Sequence, residues 1–230
     1  MRITRVMMSA AVAAMVAIPA AAQVPLAPGL PSLGLSIGVK ASTLGVGVDL
    51  GYRFIPRLSV RLGANWASYN RDDLEIADFA YVAKLRWRTI QGLLDLHVLG
   101  PLHLSAGLVH NGNQVELKAN PTGSVQIGGT TYTSTQVDTI FAKFAFKKAA
   151  PYFGLGIATG GRVGFVLELG GMMQGSPQLT YSATTTLTGA AKTQFDAQAT
   201  AERDDLQAQL DDKPYLKFYP VVALGFQVKI

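Results

Sequence analysis

The sequence predicts an all-β fold: an eight-stranded antiparallel transmembrane β-barrel with long extracellular loops and one short surface helix. Three observations predict it. In residues 215–230 every second residue from Leu216 to Ile230 is apolar, while the residues between them are mostly small or polar. Alternate side chains of a strand point to opposite faces, so this segment has one greasy face and one that accepts glycine, glutamine and lysine. An apolar outside around a polar inside is what a membrane-spanning strand requires. The same alternation recurs in seven further segments. Lastly, the connections after segments two, four and six are short and those after three, five and seven are long, the asymmetry of strands that turn on one side of a membrane and loop out on the other.

Composition agrees with this reading. Nearly half of the 230 residues are apolar, 15% are charged and 24 are glycine, which suits tight turns and a filled interior better than a charged soluble surface. Cysteine is absent, which excludes disulfides, thiolate metal sites and cysteine nucleophiles. The formal charge of +5 includes Arg2 and Arg5 of a leader; about +3 without them offers little attraction to nucleic acid.

Residues 1–22 read as a cleaved signal peptide, with basic Arg2 and Arg5, an apolar centre from Val6 to Ile18, and Ala20, Ala21 and Ala22 before Gln23. No cysteine follows the alanines, so a lipoprotein is excluded. After Gln23 no run of about 18 apolar residues appears, which argues against spanning helices. Residues 23–32 carry three prolines and read as a periplasmic lead-in; the barrel is expected over residues 33–230.

The expected strands follow in order. Strand one, residues 33–40, puts Leu33, Leu35, Ile37 and Val39 outside. Strand two, 44–54, does so with Leu44, Val46, Val48, Leu50, Tyr52 and Phe54. After Ile55, Pro56 and Arg57 comes strand three, 58–67, with Leu58, Val60, Leu62 and Trp66 outward. Residues 68–79 read as a polar loop before a fourth strand running to Leu99. There the alternation slips: Ile90, Leu94, Leu96 and Val98 set the outward phase, yet Lys84, Arg86 and Arg88 share it. A bulge near Thr89 would explain this. The preferred reading is that residues above Arg88 stand clear of the hydrocarbon, which Ile90 to Val98 already spans. Strand five is 102–109, followed by a long loop in which Gly128 and Gly129 suggest a small hairpin. Strands six and seven are 149–158 and 163–174. A long connection over 177–214 includes an acidic, helix-favouring stretch, 194–213, with Leu206 and Leu210 on one face. Strand eight is the terminal stretch, which must pair with strand one to leave no open edge.

With these features in view, residues 31–230 resemble the small bacterial outer-membrane barrels of the OmpA transmembrane-domain and OmpW types. The resemblance implies an outer-membrane location, with lipid and lipopolysaccharide as neighbours and the barrel-assembly machinery recognising the C-terminal strand. In that family the last strand normally ends in an aromatic residue; here Ile230 stands there, after Phe226 and Val228.

The inward positions carry Lys40, Asp49, Arg53, Arg61, Asp95, His97, Glu168, Gln227 and Lys229. An eight-stranded barrel is just wide enough for side chains to fill, and buried charges must be paired, so these nine read as a polar network plugging the lumen. Lys84, Arg86, Arg88, Lys143, Lys147 and Lys148 are candidates for lipopolysaccharide phosphates at the outer rim, with Trp66 and Trp87 as interface aromatics. His103 and Ser105 form an H-x-S pair of the kind found in lipid A deacylases, but near a periplasmic turn, away from the outer leaflet where such a substrate lies. No phosphate loop, zinc spacing or calcium loop appears, and no cofactor, metal or catalytic residue is expected. The expected function is structural or surface-interacting. The alternatives are a narrow channel or lateral-diffusion path for small or hydrophobic solutes and, less favoured, a lipid A-modifying enzyme.

Overall fold

The computed structural model describes residues 34–76 and 79–230; the expected signal peptide, the lead-in and Leu33 lie outside the described residues. The chain forms strands β1 (Leu35–Ser42), β2 (Gly45–Ile55), β3 (Leu58–Ile76), β4 (Phe79–Leu99), β5 (Leu102–Asn111), β6 (Gln114–Pro121), β7 (Val125–Ile127), β8 (Thr130–Tyr132), β9 (Val137–Ala145), β10 (Ala149–Ala158), β11 (Val163–Met173), β12 (Gln178–Thr185) and β13 (Phe218–Lys229). One helix, α1 (Gly189–Asp211), and a short 3-10 turn (Pro214–Lys217) lie between β12 and β13. It is the only α-helix among the described residues, and it is not apolar enough to cross a membrane.

Eight strands pair in a ring. Each is antiparallel to its neighbours in the order β1, β2, β3, β4, β5, β10, β11, β13 and back to β1, where Ser36 faces Lys229 and Ser42 faces Ala223. Alternation along these strands decides the two faces. On β5, Leu108 is 60% exposed and its neighbour Val109 is 0% exposed. The outside carries apolar side chains such as Leu50, Leu62, Ile90, Leu94, Leu155 and Phe226.

One expected outward residue is turned in. Leu44 is buried in the bore: it is the second residue of the two-residue turn between Ser42 and Gly45, and the left-handed conformation of Gly45, φ +103, starts the strand phase only after it. The strand edges also shift from expectation: β1 runs on to Ser42, while Tyr215, Leu216 and Lys217 belong to the 3-10 turn rather than to β13.

The expected long loops are largely sheet. β3 and β4 do not stop at the ring but continue together as an arm, pairing as far as Ile76 and Phe79, so that the described residues of the expected loop, 68–76 and 79, are strand. At the ring's rim β5 leaves β4. Gly112 lies so close to Arg88 that a Cβ would sit 2.8 Å from its carbonyl oxygen, and two residues later β6 takes over the edge of β4, with Gln114 facing Arg86. β9 and β12 add to β6 in turn, and β7 and β8 form the expected small hairpin. The register between β3 and β4 is unbroken at Thr89, so no bulge explains Lys84, Arg86 and Arg88: they stand on the arm, beyond the ring.

α1 is longer than expected, starting at Gly189, and its anchor is Phe195 rather than Leu206 and Leu210 alone. Phe195 is fully buried among Val125, Ile127, Tyr132 and Val137, edge-on to Tyr132 at 5.0 Å. Gln207 accepts from the Leu179 amide at 2.8 Å and donates to the Pro177 carbonyl at 3.0 Å, so the helix satisfies part of the open edge of β12.

Candidate functional site

The bore of the ring is filled in two layers. Toward the arm, Leu44, Leu93, Val109, Ala150, Tyr152, Met172 and Val221 form a buried apolar cluster with Tyr219 packed against it. Below it, toward the short turns, lies a charged layer centred on Arg61. Its guanidinium donates to both Asp95 oxygens at 2.9 and 3.0 Å and to both Glu168 oxygens at 2.6 and 3.1 Å, reaching across from β3 to β11. It also donates to Ser105 at 3.1 Å and lies 3.7 Å from Asp49. Tyr152 donates to Glu168 at 2.6 Å, Ser105 to Asp95 at 2.6 Å, Lys40 to Asp49 at 2.9 Å and Gln91 to Asp49 at 3.3 Å. Every carboxylate oxygen of Asp49, Asp95 and Glu168 is engaged. A buried charge persists only when it is paired and hydrogen-bonded in this way.

Inward glycines make room for this layer. A Cβ on Gly63 would fall 2.1 Å from an Asp49 carboxylate oxygen, and one on Gly170 would fall 2.3 Å from the Tyr152 hydroxyl. The small inward residues of the sequence pattern are thus the sockets into which large polar side chains of neighbouring strands fit.

Toward the short turns the bore opens into a vestibule of about 180 Å³. All nine expected lumen residues, Lys40, Asp49, Arg53, Arg61, Asp95, His97, Glu168, Gln227 and Lys229, line it. His97 Nε2 lies 3.1 Å from both Arg53 and the Ser59 hydroxyl. Sequence reasoning left Tyr152, Gln91 and Ser59 out of the network. Their inward phase was readable, but which inward side chains meet across a ring depends on strand pairing. His103 and Ser105 do face the bore, yet the Ser105 hydroxyl bonds Asp95, and His103 lies against His97 with ring centroids 5.6 Å apart.

The rim cations divide into two groups. Lys84, Arg86 and Arg88 alternate down the outward face of β4, and Lys143 on β9 joins them through Glu116, which lies 3.6 Å from Lys143 and 4.0 Å from Arg86. Lys118 on β6, not among the expected residues, is exposed in the same phase as Glu116. Lys147 and Lys148 are exposed in the connection from β9 to β10, apart from this row. Trp66 projects outward, half-exposed, at the junction of ring and arm. Trp87 does not. It takes the inward phase of β4, half-buried, and its indole meets the Tyr219 hydroxyl, which donates to the Thr43 carbonyl at 2.6 Å. Other outward aromatics near the strand ends include Tyr52, Phe54, Phe218 and Phe226.

No group of three or more histidine, aspartate or glutamate side chains among the described residues is arranged to hold a metal ion. No family model matches the sequence, and no curated protein matches it. Among solved structures, CarO2 of Acinetobacter baumannii is similar with a TM-score of 0.56 and 22% identity, over 85% of this chain and 98% of that one. CarO of Acinetobacter baumannii is similar with a TM-score of 0.53 and 19% identity, over 85% of this chain and 97% of that one. At such identities the likeness is one of fold, and the fold of this chain is that of the small bacterial outer-membrane β-barrel proteins.

Proposed function

We propose that the chain is an eight-stranded transmembrane barrel of the bacterial outer membrane, closed to solutes and without a catalytic role, which carries its arm on the cell surface as an interaction element. The observation that carries this reading is the double closure of the bore: an apolar layer above and the Arg61 cluster below, with all carboxylate oxygens engaged. The outside of the ring is apolar over the length a spanning strand needs, about 9–11 residues. Aromatics at the strand ends suit the two membrane interfaces. In this setting Lys84, Arg86, Arg88 and Lys143 stand just beyond the hydrocarbon, where lipopolysaccharide phosphates lie, and β13 is the strand the assembly machinery engages.

Purified protein in planar bilayers should show no conductance steps; resolved steps would overturn the closed barrel. Neutralising Lys84, Arg86 and Arg88 together should lower the lipopolysaccharide that co-purifies, and an unchanged yield would count against phosphate contact. The vestibule favours one second reading, a narrow passage, because only the two layers separate it from the arm side.

A further inference from the structure

We infer that His97 and Arg53 form an acid-released latch across the mouth of the vestibule: the neutral imidazole holds the Arg53 guanidinium, and protonation of His97 lets it go. The inference rests on the hydrogen-bond chemistry of this end of the bore, independently of whether the barrel conducts. Arg53 Nη2 lies 3.1 Å from His97 Nε2, and the Ser59 hydroxyl lies 3.1 Å from the same nitrogen. A guanidinium only donates, so the nitrogen that faces it must accept: His97 is neutral there and carries its proton on Nδ1. Once Nε2 is protonated it donates as well, and two donors facing each other share no bond. The Ser59 hydroxyl accepts as readily as it donates, so it keeps its place on the ring while Arg53 leaves. One proton thus leaves the nitrogen with one of its two partners.

The strands set the two side chains against each other. Ser59 of β3 pairs with Arg53 on β2 and with Asp95 on β4, so β3 places only a short hydroxyl between them and Arg53 reaches over it to His97. Both latch residues stand where a ladder slips: β2 shifts register against β3 between Arg53 and Ile55, and β4 against β5 between His97 and Leu99. Irregularities of this kind re-aim side chains at the rims of barrels. The His97 amide donates to the Arg57 carbonyl at 2.8 Å, which fixes the backbone beneath the imidazole. Toward the arm the charged groups that face His97 are engaged with one another, Lys40 and Arg61 with Asp49, Asp95 and Glu168. At the mouth the ring faces Lys229 of β13 and, across the strand pair, His103 of β5, while the chain-end carboxylate at Ile230 lines the same cavity. Among the described residues only Arg53 and Ser59 meet Nε2, so the exchange is confined to them. His97 is the outer, half-buried ring of the histidine pair, and His103 behind it is buried.

The test is an NMR pH titration of the full folded chain in detergent micelles, from about pH 8 to about pH 5. At the upper end the imidazole nitrogen spectrum should show His97 protonated on Nδ1 alone. Through the titration the Arg53 guanidinium signals should move with the midpoint of His97, and a water-soluble paramagnetic probe should broaden them more at the acid end, because the freed side chain turns to solvent. In H97Q, whose side-chain oxygen accepts at every pH, the movement of Arg53 should be lost while the amide spectrum of the ring stays that of the folded chain. The tautomer and the shared midpoint are read on the unaltered chain, so the proposal stands or falls even if the variant does not fold. A proton on Nε2 at the upper end, a His97 that stays neutral throughout, Arg53 signals that stay still or follow His103 instead, or an unchanged movement in H97Q would each overturn the latch.

Discussion

β4 offers two environments on one continuous strand. From Ile90 to Val98 its outward residues are Ile90, Gly92, Leu94, Leu96 and Val98; from Arg88 upward the same phase carries Arg88, Arg86 and Lys84. The pairing with β3 and its register do not change across Thr89, while on the other edge β6 replaces β5, so the difference lies in what surrounds the strand on either side of that exchange. Within the ring the outward face is apolar and the inward face carries the charges. On the arm the outward face is charged, and the inner face of β6, β9 and β12 carries Val115, Leu117, Phe144 and Leu179. The fold keeps one alternation and exchanges the solvent on each side of it.

The ring should fail most severely at its centre. Arg61→Ala leaves three carboxylates facing one another with Lys40 as the only remaining cation in that layer, and breaking such a buried cluster costs about 3–5 kcal/mol. A lowered urea midpoint in micelles measures it; an unchanged midpoint would mean that the layer is hydrated and contributes little. On the arm the comparable centre is Phe195. Phe195→Ala should cost about 3–5 kcal/mol of local stability, seen as faster hydrogen exchange in α1, β7 and β8 while β1 and β13 keep their protection. Loss of protection in both regions would show that ring and arm unfold as one unit.

Reversing the outward pattern separates the two environments directly. Leu94→Arg, in the middle of the apolar band, should destabilise by about 2–4 kcal/mol, whereas Arg86→Leu on the arm should stay within about 0.5 kcal/mol. Equal effects in micelle unfolding would remove the distinction. The smallest expected effect is on pH dependence. Burial, reinforced by the Glu202 carboxylate, pushes the Tyr181 phenol of β12 up to about 12. An unfolded tyrosine ionises near 10, so the folded arm holds a proton that the unfolded chain has lost, and arm stability falls as pH rises from about 10 to about 12. The helical circular-dichroism signal of α1 should decline over that window, and in Tyr181→Phe it should not.

Period-two alternation was enough to mark the ring portions of the eight strands, though β3 runs on to Ile76, and to mark nine of the polar residues that line the vestibule, because a strand in a closed ring has only two directions for a side chain. The arm was not legible in the same way. Val115, Leu117 and Ala119 alternate on β6, as do Leu179, Tyr181 and Ala183 on β12, but these runs are short and end in polar turns, and no apolar outer face marks them. Trp87 was misplaced for a related reason: once the charged phase of β4 was recognised as outward, the tryptophan between Arg86 and Arg88 had to point in. Phe195 lay inside the expected helical stretch 194–213, but its part as the anchor depends on the β7–β8 hairpin and Val137 that bury it, and the helix's own pattern pointed to Leu206 and Leu210.

The sequence by itself determined the faces, since alternation is a local property of each strand, and with them the apolar outside and the polar composition of the bore. Only the tertiary structure decided the pairings. Arg61 meets Glu168 over a separation of 107 residues, Lys229 comes to lie beside Ser36 because β13 closes on β1, and β6 inherits the edge of β4 where β5 leaves it. Each of these depends on register between strands far apart in the chain, which periodicity along a single strand does not encode.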